Sequence, residues 1–309
     1  TRAVAFRADY RFPEADGHRS GLVLQTVGFP LTNEKPSLYG GGFLYGIGAD
    51  RLAAGLVMGL DWTRPGFSPH AAWEAWKKHP AVAALLAGGQ EVSYAAKLLP
   101  EAGFAGLGAM EGAGVKLVGD AAGLVEPLDL SGIEGALESG RAAADSIADG
   151  TTLSAETLAF AKKMKRARGY RDGFRGGLFP GIAGAAAIVA SRGLLHPQER
   201  QGKADRQALQ PGVPGPLPRD GREAEIAFSH LRGNDKEAIL LDTEKCRECA
   251  ARFARPCLVF CPGKVFLPTG DGGVKLQTEN CLSCWTCENK CPLAAVWKRA
   301  TAAGPTYEL

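Results

Sequence analysis

All eight cysteines of this 309-residue chain lie in its last quarter, in two runs that each end in Cys-Pro. The first is Cys246-x2-Cys249-x7-Cys257-x3-Cys261-Pro262, and the second is Cys281-x2-Cys284-x2-Cys287-x3-Cys291-Pro292. A [4Fe–4S] cube needs four converging thiolates. A Cys-x2-Cys-x2-Cys loop wraps three of them around one face, and the fourth must arrive from a distant segment. Where two such runs occur together, the last cysteine of each ligates the other's cluster. The expected sets are therefore Cys261, Cys281, Cys284 and Cys287 for one cluster, and Cys246, Cys249, Cys257 and Cys291 for a second. Such a framework implies electron transfer.

Two other uses of cysteine compete with this reading. Zinc ribbons also pair Cys-x2-Cys, but they do not require a three-cysteine run followed by Cys-x3-Cys-Pro. Disulfides would suit a small secreted domain, which nothing else here resembles. The first run departs from the second only in its x7 spacer, which enlarges a loop without removing a ligand.

Length suggests two domains, or one large domain with an appendage. With 45% hydrophobic and 22% charged residues the chain reads as an ordinary folded protein. A net charge of +3 and a pI near 8.4 are too mild to imply nucleic acid. The sequence opens at Thr1 with no charged leader and apolar stretch, which reads as no signal peptide and as a start inside a longer protein.

Along the chain, 22–27, 43–47 and 52–60 read as strands between glycine turns. Ser68-Pro69 reads as a helix start, a cap followed by proline in the first turn, with the helix carrying Trp73 and Trp76 to His79-Pro80. Both tryptophans read as core. Residues 115–118 form a short apolar strand running into Gly119-Asp120-Ala121-Ala122-Gly123, and Gly132 opens a helix through Ile147. Ser154 reads as the cap of a further helix with a basic surface. Four prolines between Pro211 and Pro218 mark a linker. The five histidines form no metal-ligand spacing, and no nucleophilic triad or carboxylate pair stands out.

The strand–GDAAG–loop–helix segment carries a second chemical signal. An aspartate at the end of a parallel strand can accept a hydrogen bond from a ribityl hydroxyl. The helix opening at Gly132-Ile133 offers free backbone N–H groups and its positive dipole end to a flavin. The plain alternative is a turn aspartate capping something local.

Together these segments resemble the C-terminal part of the electron-transfer-flavoprotein:ubiquinone oxidoreductase family, and its prokaryotic relatives with separate flavoprotein and ferredoxin-like subunits. The resemblance rests on Thr26-Val-Gly-Phe-Pro-Leu31, Leu38-Tyr-Gly-Gly-Gly-Phe-Leu-Tyr45, Gly55-Leu-Val-Met-Gly-Leu-Asp61, Trp76-Lys-Lys-His-Pro80, residues 119–140 and the cysteine runs. It implies a mixed α+β and α/β chain. A partial glutathione-reductase-type FAD and quinone-binding domain would occupy 1–150, and a helical region 151–210. A linker would span 211–237, followed by a bacterial-ferredoxin-like [4Fe–4S] domain at 238–309. Two departures stand out. The family's G-x-G-x-x-G phosphate-binding fingerprint is missing, and Gly40-Gly41-Gly42 is not one. Either the chain is a fragment or a separate FAD-binding subunit supplies that half. Mitochondrial-type members hold one cluster, on residues matching Cys261, Cys281, Cys284 and Cys287, whereas this chain adds Cys246, Cys249, Cys257 and Cys291.

The resemblance implies an oxidoreductase, incomplete without its FAD-binding segment. Electrons would pass from reduced electron-transfer flavoprotein through FAD and the cluster to a membrane quinone. Gly119, Asp120, Gly132 and Ile133 would meet the FAD, and Gly40 and Gly41 the quinone head. On residues alone, Gly40-Gly41 reads better as a hairpin turn without a ligand, and the resemblance reverses that. Residues 178–195 are apolar but short of a spanning helix. By resemblance they would dock the protein peripherally on the inner face of a cytoplasmic membrane, or the matrix face of an inner mitochondrial membrane. The reading from a different class is a non-catalytic iron–sulfur relay subunit of a larger flavoprotein assembly, such as a bifurcating one.

Overall fold

The structure, a computed structural model, describes residues 2–14, 19–126, 131–170, 178–192, 194–195, 210–212, 231–232, 239–278, 281–298 and 306–307. The fold is mixed α/β. The chain divides into two compact units: Thr1–Ala3, Glu34–Tyr39 and Leu99–Gly202 form one, and Val4–Asn33, Gly40–Leu98 and Lys203–Leu309 the other.

The larger unit is built on a five-stranded sheet. Its strands are β1 (Arg2–Arg11), β2 (Val23–Gln25), β3 (Gly40–Ile47), β4 (Arg51–Gly59) and β5 (Gln90–Pro100), in the order β2-β3-β4-β1-β5. The three expected strands are present, with β3 starting three residues earlier than its apolar residues suggest. β3 and β4 pair antiparallel from Gly40↔Met58 to Ile47↔Arg51, so Gly40, Gly41 and Gly42 are strand and not turn. Eight of the nine β4 residues are buried, as expected of a central strand covered on both faces.

Helix α1 (Pro69–Lys77) covers this sheet. Ser68 caps it, its hydroxyl accepting from Ala71 N at 3.1 Å, and Pro69 occupies the first turn. The helix buries Trp73 and Trp76, whose rings stack at 5.4 Å. Trp76 Nε1 donates to Thr26 Oγ1 at 2.9 Å, tying α1 to the segment after β2. Helix α2 (Pro80–Leu86) follows at once, capped by His79.

The cysteine-rich residues belong to this same unit. They fold as two like halves. In the first, helix α6 (Thr243–Phe253) and the single turn α7 (Cys257–Phe260) lead into a ribbon of Phe266–Pro268 with Val274–Leu276. In the second, turn α8 (Thr286–Lys290) leads into Val296–Lys298, which pairs back with Ile239–Leu241. The two Cys-Pro corners share a backbone conformation. Cys261 and Cys291 both have φ −65°, and the third residue after each, Lys264 and Ala294, is left-handed at φ 52° and 50°. Of the expected linker only 211–212 and 231–232 lie within the described residues. Gln210 N donates to Thr63 O at 2.8 Å, and Gly212 N to Arg252 O at 2.9 Å.

The smaller unit packs α3 (Ile133–Ala148) and α4 (Ala159–Arg166) around Leu124, Phe160 and Met164. The helix expected from Ser154 starts one turn later. Ser154 caps only a 3-10 turn, and Glu138 caps α4 from the neighbouring helix, its carboxylate accepting from Ala159 N at 2.7 Å and Phe160 N at 2.8 Å. The strand before GDAAG is not parallel. Val115–Lys116 pairs antiparallel with Glu111–Gly112, because Ala113 and Gly114 are both left-handed and close a two-residue hairpin.

Helix α5 (Leu178–Ala190) completes this unit. No helix among the described residues is long and apolar enough to cross a membrane. Ile188 is buried against Tyr39 and Tyr170, whereas Phe179 is 83% exposed and Ile182, Val189, Leu194 and Leu195 are also exposed. The outward apolar side of 178–195 is therefore carried by those residues, and Ile188 is its anchor to the core.

Candidate functional site

Turns α7 and α8 pack against each other. Each runs straight into the last cysteine of its run, Cys261 or Cys291. Cys291 joins the other run. Cys246, Cys249, Cys257 and Cys291 line one cavity, closed by apolar side chains such as Phe260, Val274 and Val296. This is the second expected set, and the x7 spacer does not keep Cys257 from joining it. Of the other set, Cys261, Cys284 and Cys287 are buried and Cys281 is half-buried. All eight cysteines are free thiols, so no disulfide is formed.

Arg255 also lines the cavity, so its thiols stand between apolar side chains and one cation. Burial, and then the neighbouring Cys291 and Cys246, push the Cys249 thiol up to about 12. Burial and the surrounding cysteines hold Cys257 well above its ordinary value as well. Burial thus disfavours the thiolate at Cys249 and Cys257, and a bound metal's charge is what deprotonates such groups. Backbone donors are also in place: Ala295 N points at Cys291 Sγ at 3.1 Å and Val265 N at Cys261 Sγ at 3.4 Å. Among the described residues, no group of three or more His, Cys, Asp or Glu side chains is placed to hold a metal ion.

In the smaller unit, the GDAAG turn is fastened to α3. Gly119 N donates to Ser139 Oγ at 2.9 Å, and that hydroxyl donates to Gly135 O at 2.6 Å. Gly119 is left-handed at φ 53° and lies against Ala136, which explains the glycine there. A Cβ on Gly132 would stand 2.7 Å from Asp120 Oδ1. The carboxylate therefore sits beside the open first turn of α3, with Asp120 and Ile133 both exposed. Asp120, Gly132 and Ile133 meet at the start of α3, while Gly119 packs farther along it, against Ala136 and Ser139.

Gly40 and Gly41 are buried in β3, where packing alone requires them. A side chain at Gly40 would run into Val57 O and Leu31, one at Gly41 into Thr26 O, and one at Gly42 into the Trp76 indole. The exposed apolar side chains nearby in sequence are Val23, Val27 and Phe29.

A residue that sequence reasoning passes over is Lys290, between Cys287 and Cys291. It is 0% exposed, and its ammonium donates to Leu60 O and, at 2.7 Å, to Trp62 O, just past the end of β4. Nothing in Cys-Glu-Asn-Lys-Cys signals burial, since lysine is almost never fully buried.

Residues 9–99 match a family model described as ETF-QO, ubiquinone-binding. An electron transfer flavoprotein-ubiquinone oxidoreductase of Oryza sativa is 30% identical over 90% of this chain and 53% of its own length. Its Arabidopsis thaliana counterpart is 30% identical over 100% and 53%, and the human one 28% over 89% and 50%. The chain thus spans about half the length of the curated relatives it matches. Among solved structures, the flavin-dependent brominase Bmp2 overlaps with a TM-score of 0.38 at 18% identity, over 62% of this chain and 50% of that one. That overlap is too loose to carry an argument.

Proposed function

We propose that this relative of the electron transfer flavoprotein-ubiquinone oxidoreductases is the quinone-side and iron–sulfur part of such an enzyme. In this reading it passes electrons from reduced electron-transfer flavoprotein, by way of FAD and [4Fe–4S] clusters, to a membrane quinone. The observation that carries the reading is the cavity lined by Cys246, Cys249, Cys257 and Cys291, drawn from both cysteine runs. It lies in the same compact unit as the sheet that matches the ubiquinone-binding model.

Bound clusters would supply one-electron steps at potentials set by hydrogen bonds and burial. The chain's own residues do the rest. The cysteines hold the groups, Ala295 N and Val265 N donate to Cys291 and Cys261 sulfurs, and Phe260 and Val296 help exclude water. For flavin, Asp120 would accept from a ribityl hydroxyl, and the α3 N–H groups behind Gly132 and Ile133 would face the ring or phosphate. The exposed apolar row Phe179, Ile182, Val189, Leu194 and Leu195 supports peripheral docking on a membrane.

One observation favours the relay reading instead. Gly40, Gly41 and Gly42 are already accounted for by packing, so no ligand is needed to explain them. The decisive experiment supplies a flavin-binding half from a relative and loads clusters anaerobically. The complex should then oxidise reduced electron-transfer flavoprotein and reduce a short-chain quinone. Cluster reduction without any quinone turnover would favour the relay.

A further inference from the structure

The two cysteine halves repeat each other closely enough to be compared position by position. Phe260 stands immediately before the Cys261-Pro262 corner, and Lys290 immediately before Cys291-Pro292. Both are buried, and both meet the same partner. The Phe260 ring lies 6.1 Å from the Trp62 ring, and the Lys290 ammonium 4.5 Å from its centre. One position is filled by an apolar ring and its counterpart by a cation. Packing against tryptophan therefore does not by itself require a charge at Lys290. Burying one is costly, and it is held here by Leu60 O, Trp62 O and the indole face.

We propose that Lys290 is a positioning and tuning residue: its buried charge raises the reduction potential of the cluster held through the cysteines that flank it. This rests on the reading that the cysteines hold clusters. Lys290 lies on the turn that carries Cys287 and directly precedes Cys291, so along the chain it falls between ligands of both expected sets. Reduction adds negative charge to a cluster. A fixed cation in a low-dielectric setting stabilises that state, and more strongly than it would in water. The same ammonium fastens the cysteine-rich halves to the carbonyls beyond β4, so the charge is fixed in place relative to the sheet.

The test compares the full chain with Lys290→Met and Lys290→Gln, each loaded anaerobically with iron and sulfide. Iron and labile sulfide are quantified first, and midpoint potentials are then read by titration followed with electron paramagnetic resonance. Gln keeps a hydrogen-bond donor but not the charge, whereas Met keeps neither. The expected result is unchanged cluster content, with at least one midpoint lowered alike in both variants, by about a tenfold shift in the reduction equilibrium or 59 mV for one electron. Unchanged midpoints in both variants would overturn the proposal. So would a shift in Met alone, which would make Lys290 a hydrogen-bonding latch, or loss of clusters from both, which would make it a folding residue. Absence of clusters from the unaltered chain would instead defeat the reading on which the proposal rests.

Discussion

Lys290 Nζ donates to Trp62 O at 2.7 Å while standing 4.5 Å from the centre of the same residue's ring. Trp62 also meets Phe67 at 5.1 Å and Phe260 at 6.1 Å, so one buried indole receives both cysteine halves. Trp62→Ala should leave a cavity under the cation and cost about 3–5 kcal/mol of stability. Chemical denaturation of the loaded chain measures this. A loss under about 0.5 kcal/mol, the scale of an ordinary surface change, would mean the two regions are not held through Trp62.

Helix α5 separates its core and surface roles by residue. Ile188 is 3% exposed among Tyr39 and Tyr170, so Ile188→Glu should destabilise the fold and cannot report on membranes. Phe179→Glu should leave the melting temperature nearly unchanged. It should weaken binding to anionic liposomes, because a charge must then enter the acyl boundary. Equal liposome binding by Phe179→Glu and the unaltered chain would end the docking reading.

Gly132 has an ordinary φ of −120°, so alanine is conformationally acceptable there. Its Cβ would press on Asp120 Oδ1, a movable atom. Gly132→Ala should therefore cost little stability and displace the carboxylate. With a flavin-binding half supplied, Gly132→Ala and Asp120→Ala should both weaken FAD binding, as read by fluorescence titration. Full affinity in both variants would place the flavin elsewhere. Gly41→Val is a poor probe of quinone, because its side chain would strike Thr26 O and disturb the sheet first.

Glu91 sits between Tyr10, which donates to it at 2.9 Å, and Lys77 at 3.8 Å. Burial outweighs both and raises its pKa. A carboxyl whose folded pKa is raised stabilises most when protonated, and that contribution is lost as pH rises through the folded value. Glu91→Gln mimics the protonated form. It should raise the melting temperature at pH 7, with the gain fading below about pH 4, where the unfolded carboxyl is protonated too. A lower melting temperature at pH 7 would mean the Lys77 pair outweighs burial.

Local chemistry was the legible part of this fold. Ser68-Pro69 marks the start of α1 because cap and proline act within one turn. The cysteine spacing points to a set that does line one cavity. What escaped depends on distant packing. Gly40-Gly41-Gly42 reads as a turn, yet it is strand, because Thr26 and Trp76 press too close for side chains. Strand β1 is not among the strands expected from sequence, and its Asp9 is buried and paired with Arg7 at 2.9 Å. The antiparallel hairpin before GDAAG turns on Ala113 adopting a left-handed conformation, which alanine seldom signals.

The most direct measurement is iron and acid-labile sulfide in the anaerobically purified chain, alongside Cys249→Ser and Cys284→Ser. The expected result is iron and sulfide fitting two [4Fe–4S] clusters, with each substitution removing one. Stoichiometric zinc without sulfide, or iron unaffected by either substitution, would contradict the account.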